Sequence, residues 1–162
     1  MDFSNNRALR LDDLMPLIQA KFNMGGSVRF DPNGTSMYPM LRQGRDSVLL
    51  SPISRKIRKY DLPLYRRANG QYVLHRVVGV NKKSRTYTCI GDNQFVLERG
   101  ITREQMIDVV TVFWRDGKMI RTDSRAHRTY CRLWHYSRPI RRFWRMIVTP
   151  LHKLLHQKRS SD

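Results

Sequence analysis

The chain has 162 residues, 40% of them hydrophobic, with 31 Lys and Arg against 13 Asp and Glu and a formal net charge of +18. That apolar share excludes a disordered chain, and the length suits one domain or one domain with a tail. No uninterrupted apolar run approaches the roughly 20 residues that cross a bilayer, and two cysteines in unlike contexts, Cys89 and Cys131, make no disulfide framework.

The first residues, Met1-Asp2-Phe3-Ser4-Asn5-Asn6, are polar, and Leu11-Asp12-Asp13-Leu14 carries acids. Neither has the make-up of a secretory signal, so the expected location is cytoplasmic, peripheral at most to the inner face of the membrane. Leu11, Leu14, Leu17, Ile18 and Phe22 recur at helical spacing and predict a short helix that stops at Gly25-Gly26. From Ser27 to Arg121 the pattern changes to short strands: Ser27–Asp31, Ser47–Leu50, Leu62–Arg66, Gln71–Val80, Arg85–Ile90, Asp108–Arg115 and Lys118–Arg121. Asn69-Gly70 and Asp116-Gly117 are hairpin signals, and residues Thr102 to Met106 suit one helical turn. Cys89, in the run Thr86 to Ile90, reads as a buried strand thiol. The expected fold is mainly β and compact, with a helical segment at 1–26, a β domain at 27–122 and a tail at 123–162.

The tail differs in charge. Residues 1–114 hold 18 Lys and Arg against 10 acids, whereas residues 115–162 hold 13 against 3. Ile140, Phe143, Trp144, Ile147, Leu151, Leu154 and Leu155 fall at helical spacing, with Arg141, Arg142, Arg145 and Lys153 on other faces and Pro150 set to kink the helix. Such a basic amphipathic helix docks on an anionic membrane surface, packs on its own domain or meets a partner protein. The high net charge also suits nucleic acid, though no helix-turn-helix pattern precedes the β segment. His152 and His156 lie four apart without a third ligand, which is a solvated helix face and not a metal site.

Three segments carry candidate chemistry. Gly34-Thr35-Ser36-Met37-Tyr38-Pro39-Met40-Leu41 sets Ser36 in a turn bounded by Gly and Pro. His75 follows in Tyr72-Val73-Leu74-His75-Arg76-Val77, and then the acidic turn Gly91-Asp92-Asn93. Singly, each has an ordinary explanation in turn chemistry or in a half-buried strand histidine. In this order they suit a hydrolase. A serine hydroxyl needs a neighbouring base, histidine titrates near working pH, and a carboxylate on the far ring nitrogen fixes its tautomer.

The boxes Gly34-Thr35-Ser36-Met37-Tyr38-Pro39 and His75-Arg76-Val77-Val78-Gly79, with Gly91-Asp92-Asn93, resemble those of signal-peptidase-like serine peptidases. That clan also holds the SOS-repressor autoproteases. Histidine in the second box is similar to the endoplasmic-reticulum type. Gly44-Arg45-Asp46 and Lys59-Tyr60-Asp61 resemble the family's two Gly-Asp strand openings, each with the glycine replaced.

The resemblance implies a coiled β-sheet fold and cleavage through an acyl-enzyme, with no metal or organic cofactor. Ser36 is the implied nucleophile and His75 the general base. Glu98, in Leu97-Glu98-Arg99-Gly100, and Asp92 compete as the orienting acid. Gly34, Thr35, Met37 and Pro39 would border the oxyanion and substrate. Gly34 stands where the family often has a hydroxyl residue, which leaves the Ser36 N–H as the main oxyanion donor. The implied substrate is a protein or peptide with a leader segment, bound in extended form beside Ser27–Asp31. The alternative is a non-catalytic module of the same fold that binds peptides or acts in regulation.

Overall fold

The computed structural model describes residues 11–147. Its elements in chain order are α1 (Leu11–Asn23), β1 (Val28–Phe30), β2 (Ser47–Pro52), β3 (Pro63–Arg66), β4 (Tyr72–Leu74), β5 (Arg76–Asn81), β6 (Thr86–Ile90), β7 (Glu98–Ile101), β8 (Met106–Arg115), β9 (Lys118–Arg121) and α2 (Arg125–Tyr136). The architecture is mainly β, with a sheet curled into a half-barrel and a short N-terminal helix.

β8 is the spine, rich in the β-branched and aromatic residues that suit a pleated surface. One of its edges pairs with β2, from Ser47↔Trp114 to Pro52↔Asp108. The other is shared: β3 takes the first half through Pro63↔Val109, and β9 takes the second through Val112↔Arg121. The larger sheet runs β1-β2-β8-β3-β4, with β9 also on β8, and β5-β6-β7 form a second, three-stranded sheet. Asp116-Gly117 turns β8 into β9, and Asn69-Gly70 lies in the turn between β3 and β4.

The expected strand Gln71–Val80 is two strands in different sheets, divided at His75. Leu74 to Val78 are all buried, so period-two alternation is lost where the chain passes from one sheet to the other with protein on both sides. β7 was not expected, because Glu98-Arg99-Gly100-Ile101 has one apolar residue; it is an edge strand made by pairing Cys89↔Glu98 and Tyr87↔Ile101. The expected helical turn Thr102–Met106 is a short turn at 103–105 that leads into β8.

Two apolar clusters form the core. Met15, Ile18 and Phe22 of α1 pack with Val48, Leu50, Val110 and Phe113 of the larger sheet, while Leu17 of the expected stripe faces solvent. Met37, Met40 and Leu41 join this cluster and anchor the turn that carries Ser36. Between the two sheets lie Tyr65, Val77, Cys89, Ile101, Met106 and Val109. Cys89 and Cys131 are both buried free thiols.

Ser124 caps α2 by accepting from the His127 N–H at 3.3 Å, as serine does at helix starts. After Ser137 the chain is helical again over residues 138–147. The expected kink at Pro150, the apolar positions Leu151, Leu154 and Leu155, and His152 and His156 lie outside the described residues. Among the described residues no helix is long and apolar enough to cross a membrane.

Candidate active site

β1 and β4 are the two end strands of the larger sheet, and a cleft of about 890 Å³ opens between them. Phe30, Asp31 and Gly34 line one wall and Tyr72, Val73 and Leu74 the other. Ser36 and His75 both line this cleft, as do Met37 and Gln94, whereas Thr35 and Pro39 do not.

The Ser36 turn is held from several sides. Buried Met37 and Met40 anchor it in the core, and the Leu41 N–H donates to the Met37 carbonyl at 3.0 Å. Arg115 Nη1 donates to the Pro39 carbonyl at 2.7 Å. The Asn93 N–H donates to the Ser36 carbonyl at 2.8 Å, and Asn93 Nδ2 to the Thr35 carbonyl at 3.3 Å. Gly91 allows that approach: a Cβ there would sit 2.6 Å from the Ser36 carbonyl oxygen. Gly34 has φ +96°, a conformation that strains any residue with a Cβ, and this explains a glycine where the resemblance suggested a hydroxyl. Neither the N–H nor the hydroxyl of Ser36 bonds to a described residue.

His75 is 2% exposed and sits at the joint between the two sheets. Its Nδ1 donates to Glu98 Oε1 at 2.9 Å, and no described residue partners Nε2. The Tyr65 hydroxyl donates to Glu98 Oε2 at 2.9 Å and lies 3.3 Å from His75 Nδ1. Arg67 donates to the same carboxylate, through Nε at 2.8 Å and through Nη2. Burial works against the Glu98 charge, yet hydrogen bonds from Arg67 and Tyr65 hold its pKa below the ordinary value. Burial lowers the His75 pKa, the Glu98 carboxylate opposes that shift, and the Arg67 charge adds to it. The imidazole is therefore neutral at pH 7, with a carboxylate holding its Nδ1.

Asp92 has a different partner. Arg76 donates to both its oxygens at 2.8 Å, and each side chain of the pair is 2% exposed. Arg76 also donates to Cys131 Sγ at 2.9 Å and to the Tyr60 carbonyl at 3.3 Å. Tyr60 takes φ +77°, a cost of roughly 1–2 kcal/mol for a residue with a Cβ. Its N–H bonds the Val77 carbonyl at 2.7 Å, which fixes the chain just after His75. Asp61 accepts from Arg55, and Asp46 from Arg42, so both strand-opening acids are spent on local ion pairs.

The inner face of α2 grips the acidic turn. Trp134 Nε1 donates to the Asp92 carbonyl at 2.9 Å and Arg141 Nη1 to the same oxygen at 3.2 Å. Arg141 stacks its guanidinium 3.6 Å over the Trp134 ring. The tail thus holds the turn whose next residue, Asn93, holds Ser36.

Of the residues singled out in the sequence, Ser36 and His75 share the cleft, Glu98 joins His75, and Asp92 joins Arg76. Tyr65, Arg67 and Trp134 were not assigned to the site, and Asn93 was named only as part of the acidic turn, without its bonds to the Ser36 and Thr35 carbonyls. Tyr65 lies in β3 and Arg67 one residue past its end, two apart and so on one side of an extended chain; Glu98 was singled out in the sequence, but its pairing with these two was not. No protein-family model matches the chain, and no curated protein matches it.

Proposed function

We propose that the chain is a serine endopeptidase that cleaves an extended peptide in the cleft between β1 and β4. The observation that carries this reading is the pairing of cleft-lining Ser36 with a cleft-lining His75 whose Nδ1 is engaged by Glu98. β1 is an end strand, so a peptide can add to its outer edge through backbone hydrogen bonds. His75 Nε2 then takes the Ser36 proton as Oγ attacks the scissile carbonyl, while Glu98 stabilises the imidazolium. The Ser36 N–H receives the developing oxyanion. His75 returns the proton to the leaving amine, and water hydrolyses the acyl-enzyme with the same base.

No hydrogen bond joins Ser36 to His75 in the unliganded cleft, and catalytic bonds of this kind often tighten only in the complex. A leader segment on another protein is the proposed substrate, and the two buried free thiols suit a reducing, cytoplasmic setting. The separated Ser36 and His75, with one oxyanion donor, favour a second reading, a peptide-binding module without catalysis.

Labelling with a serine-directed acylating probe from pH 5 to 9 decides between them. The enzyme predicts labelling that rises as His75 deprotonates and is absent in Ser36→Ala and His75→Ala. A folded wild type that labels no more than these variants leaves the binding module.

A further inference from the structure

Helix α2 and residues 138–147 present two unlike faces. The inner one, with His127, Tyr130, Cys131, Trp134 and Arg141, is spent on the β domain. The outer one carries Leu133, Tyr136, Ile140, Phe143, Trp144 and Ile147, spaced three or four residues apart and 43–68% exposed. The apolar stripe seen in the sequence is therefore not what holds the helix to its domain. Arg128, Arg132 and Arg142, all exposed, border it.

We infer that this outer face is a docking surface for an anionic lipid bilayer, on which the helix lies without crossing. Charge decides among occupants. From Ser124 to Ser161 the sequence has ten Lys and Arg and no Asp or Glu. A second copy brought against this face would set like charges together, whereas an anionic surface attracts them. Nucleic acid would use the arginines but has no need of a continuous apolar stripe. A bilayer interface uses both, the aliphatic side chains entering the acyl boundary and Tyr136 and Trp144 suiting the headgroup level. None of these apolar residues lines the cleft, and the inference stands apart from the peptidase reading because its test reads no activity.

The test is co-sedimentation of the full chain with vesicles of phosphatidylglycerol and phosphatidylcholine, compared with phosphatidylcholine alone. Binding is expected only to the anionic vesicles, weakening about fivefold for each of Arg132→Gln and Arg142→Gln. The triple variant Phe143→Ser, Trp144→Ser, Ile147→Ser is expected to lose at least about tenfold with an unchanged melting temperature. Should that variant misfold, brominated lipid quenches tryptophan fluorescence in the wild type, and Trp144→Phe removes the quenched fraction. Failure to bind anionic vesicles would overturn the inference, as would binding with no quenching of Trp144. Binding indifferent to the triple substitution and displaced by duplex DNA would assign the face to phosphate recognition instead. A dimer in sedimentation velocity that the triple variant dissolves would assign it to a second copy.

Discussion

Replacing Asp92 by Asn separates the two carboxylates that the sequence left in competition. The side chain is 2% exposed and accepts two parallel hydrogen bonds, both 2.8 Å, from an equally buried Arg76. Asn keeps the shape and one acceptor, but turns an NH₂ toward a guanidinium and leaves its charge uncompensated. Breaking one side of a buried ion pair costs about 3–5 kcal/mol. In a chain of this size each kcal/mol moves the melting temperature by about 2–4 °C, so a fall of roughly 6–20 °C is expected. A reserve of about 5–15 kcal/mol still leaves the variant folded in the cold. There its probe labelling should persist, because His75 is held by Glu98 and because Trp134 and Arg141 grip the Asp92 carbonyl, which Asn retains. Thermal melts by circular dichroism, paired with labelling in the cold, provide both readings. An Asp92→Asn protein with an unchanged melting temperature and no labelling would refute the reasoning and make Asp92 the orienting acid.

Glu98→Gln should do the reverse: the labelling rate falls about 10²–10⁴-fold with modest loss of stability. Glu98 opposes the burial that lowers the His75 pKa, so its removal moves the acid limb of the pH–rate profile to lower pH; an unmoved limb with an unchanged rate would remove Glu98 from the site. In Gly91→Ala the new methyl would meet the Ser36 carbonyl at 2.6 Å, forcing the turns apart and cutting labelling more than about tenfold in a protein of native circular dichroism. Native labelling by that variant would show that the contact does not set the serine. Asp108, 2% exposed with Oδ2 unpartnered, has its pKa pushed up to about 7 by burial. The folded state thus keeps a proton that the unfolded chain releases near pH 4, and stability is lost as pH rises toward and through 7. Asp108→Asn should raise the urea midpoint at pH 8, by up to roughly 4 kcal/mol in stability, and barely move it at pH 4. Equal shifts at both pH values would mean that ionisation is not the cost.

Much of the fold was legible because its signals are local. The hairpin turns at Asn69-Gly70 and Asp116-Gly117, the helical period before Gly25-Gly26 and the short apolar runs of β2 and β8 each depend on neighbours within a few residues. Where the burden was long-range, the pattern failed. The unbroken burial from Leu74 to Val78 looks like one strand because the sequence does not say that two sheets meet at His75. β7 carries little apolar signal and exists through its pairing with β6.

The same division runs through the candidate site. Ser36 in a Gly- and Pro-bounded turn, His75 in a strand pattern and Asp92 in an acidic turn could be picked out from residue type and order alone, whereas Glu98 was named only through the family resemblance. Which carboxylate reaches the histidine was a matter of tertiary register: Cys89↔Glu98 brings Glu98 to the joint, while Arg76, one residue past His75, occupies Asp92. The tail's amphipathic period was likewise plain, but its direction was not. A helix can bury only one face against its domain, and here the cap at Ser124 and the Trp134 and Arg141 bonds to Asp92 turned the polar-aromatic face inward. Local chemistry determined which elements and reactive groups this chain has; contacts between residues distant in sequence decided which of those groups meet.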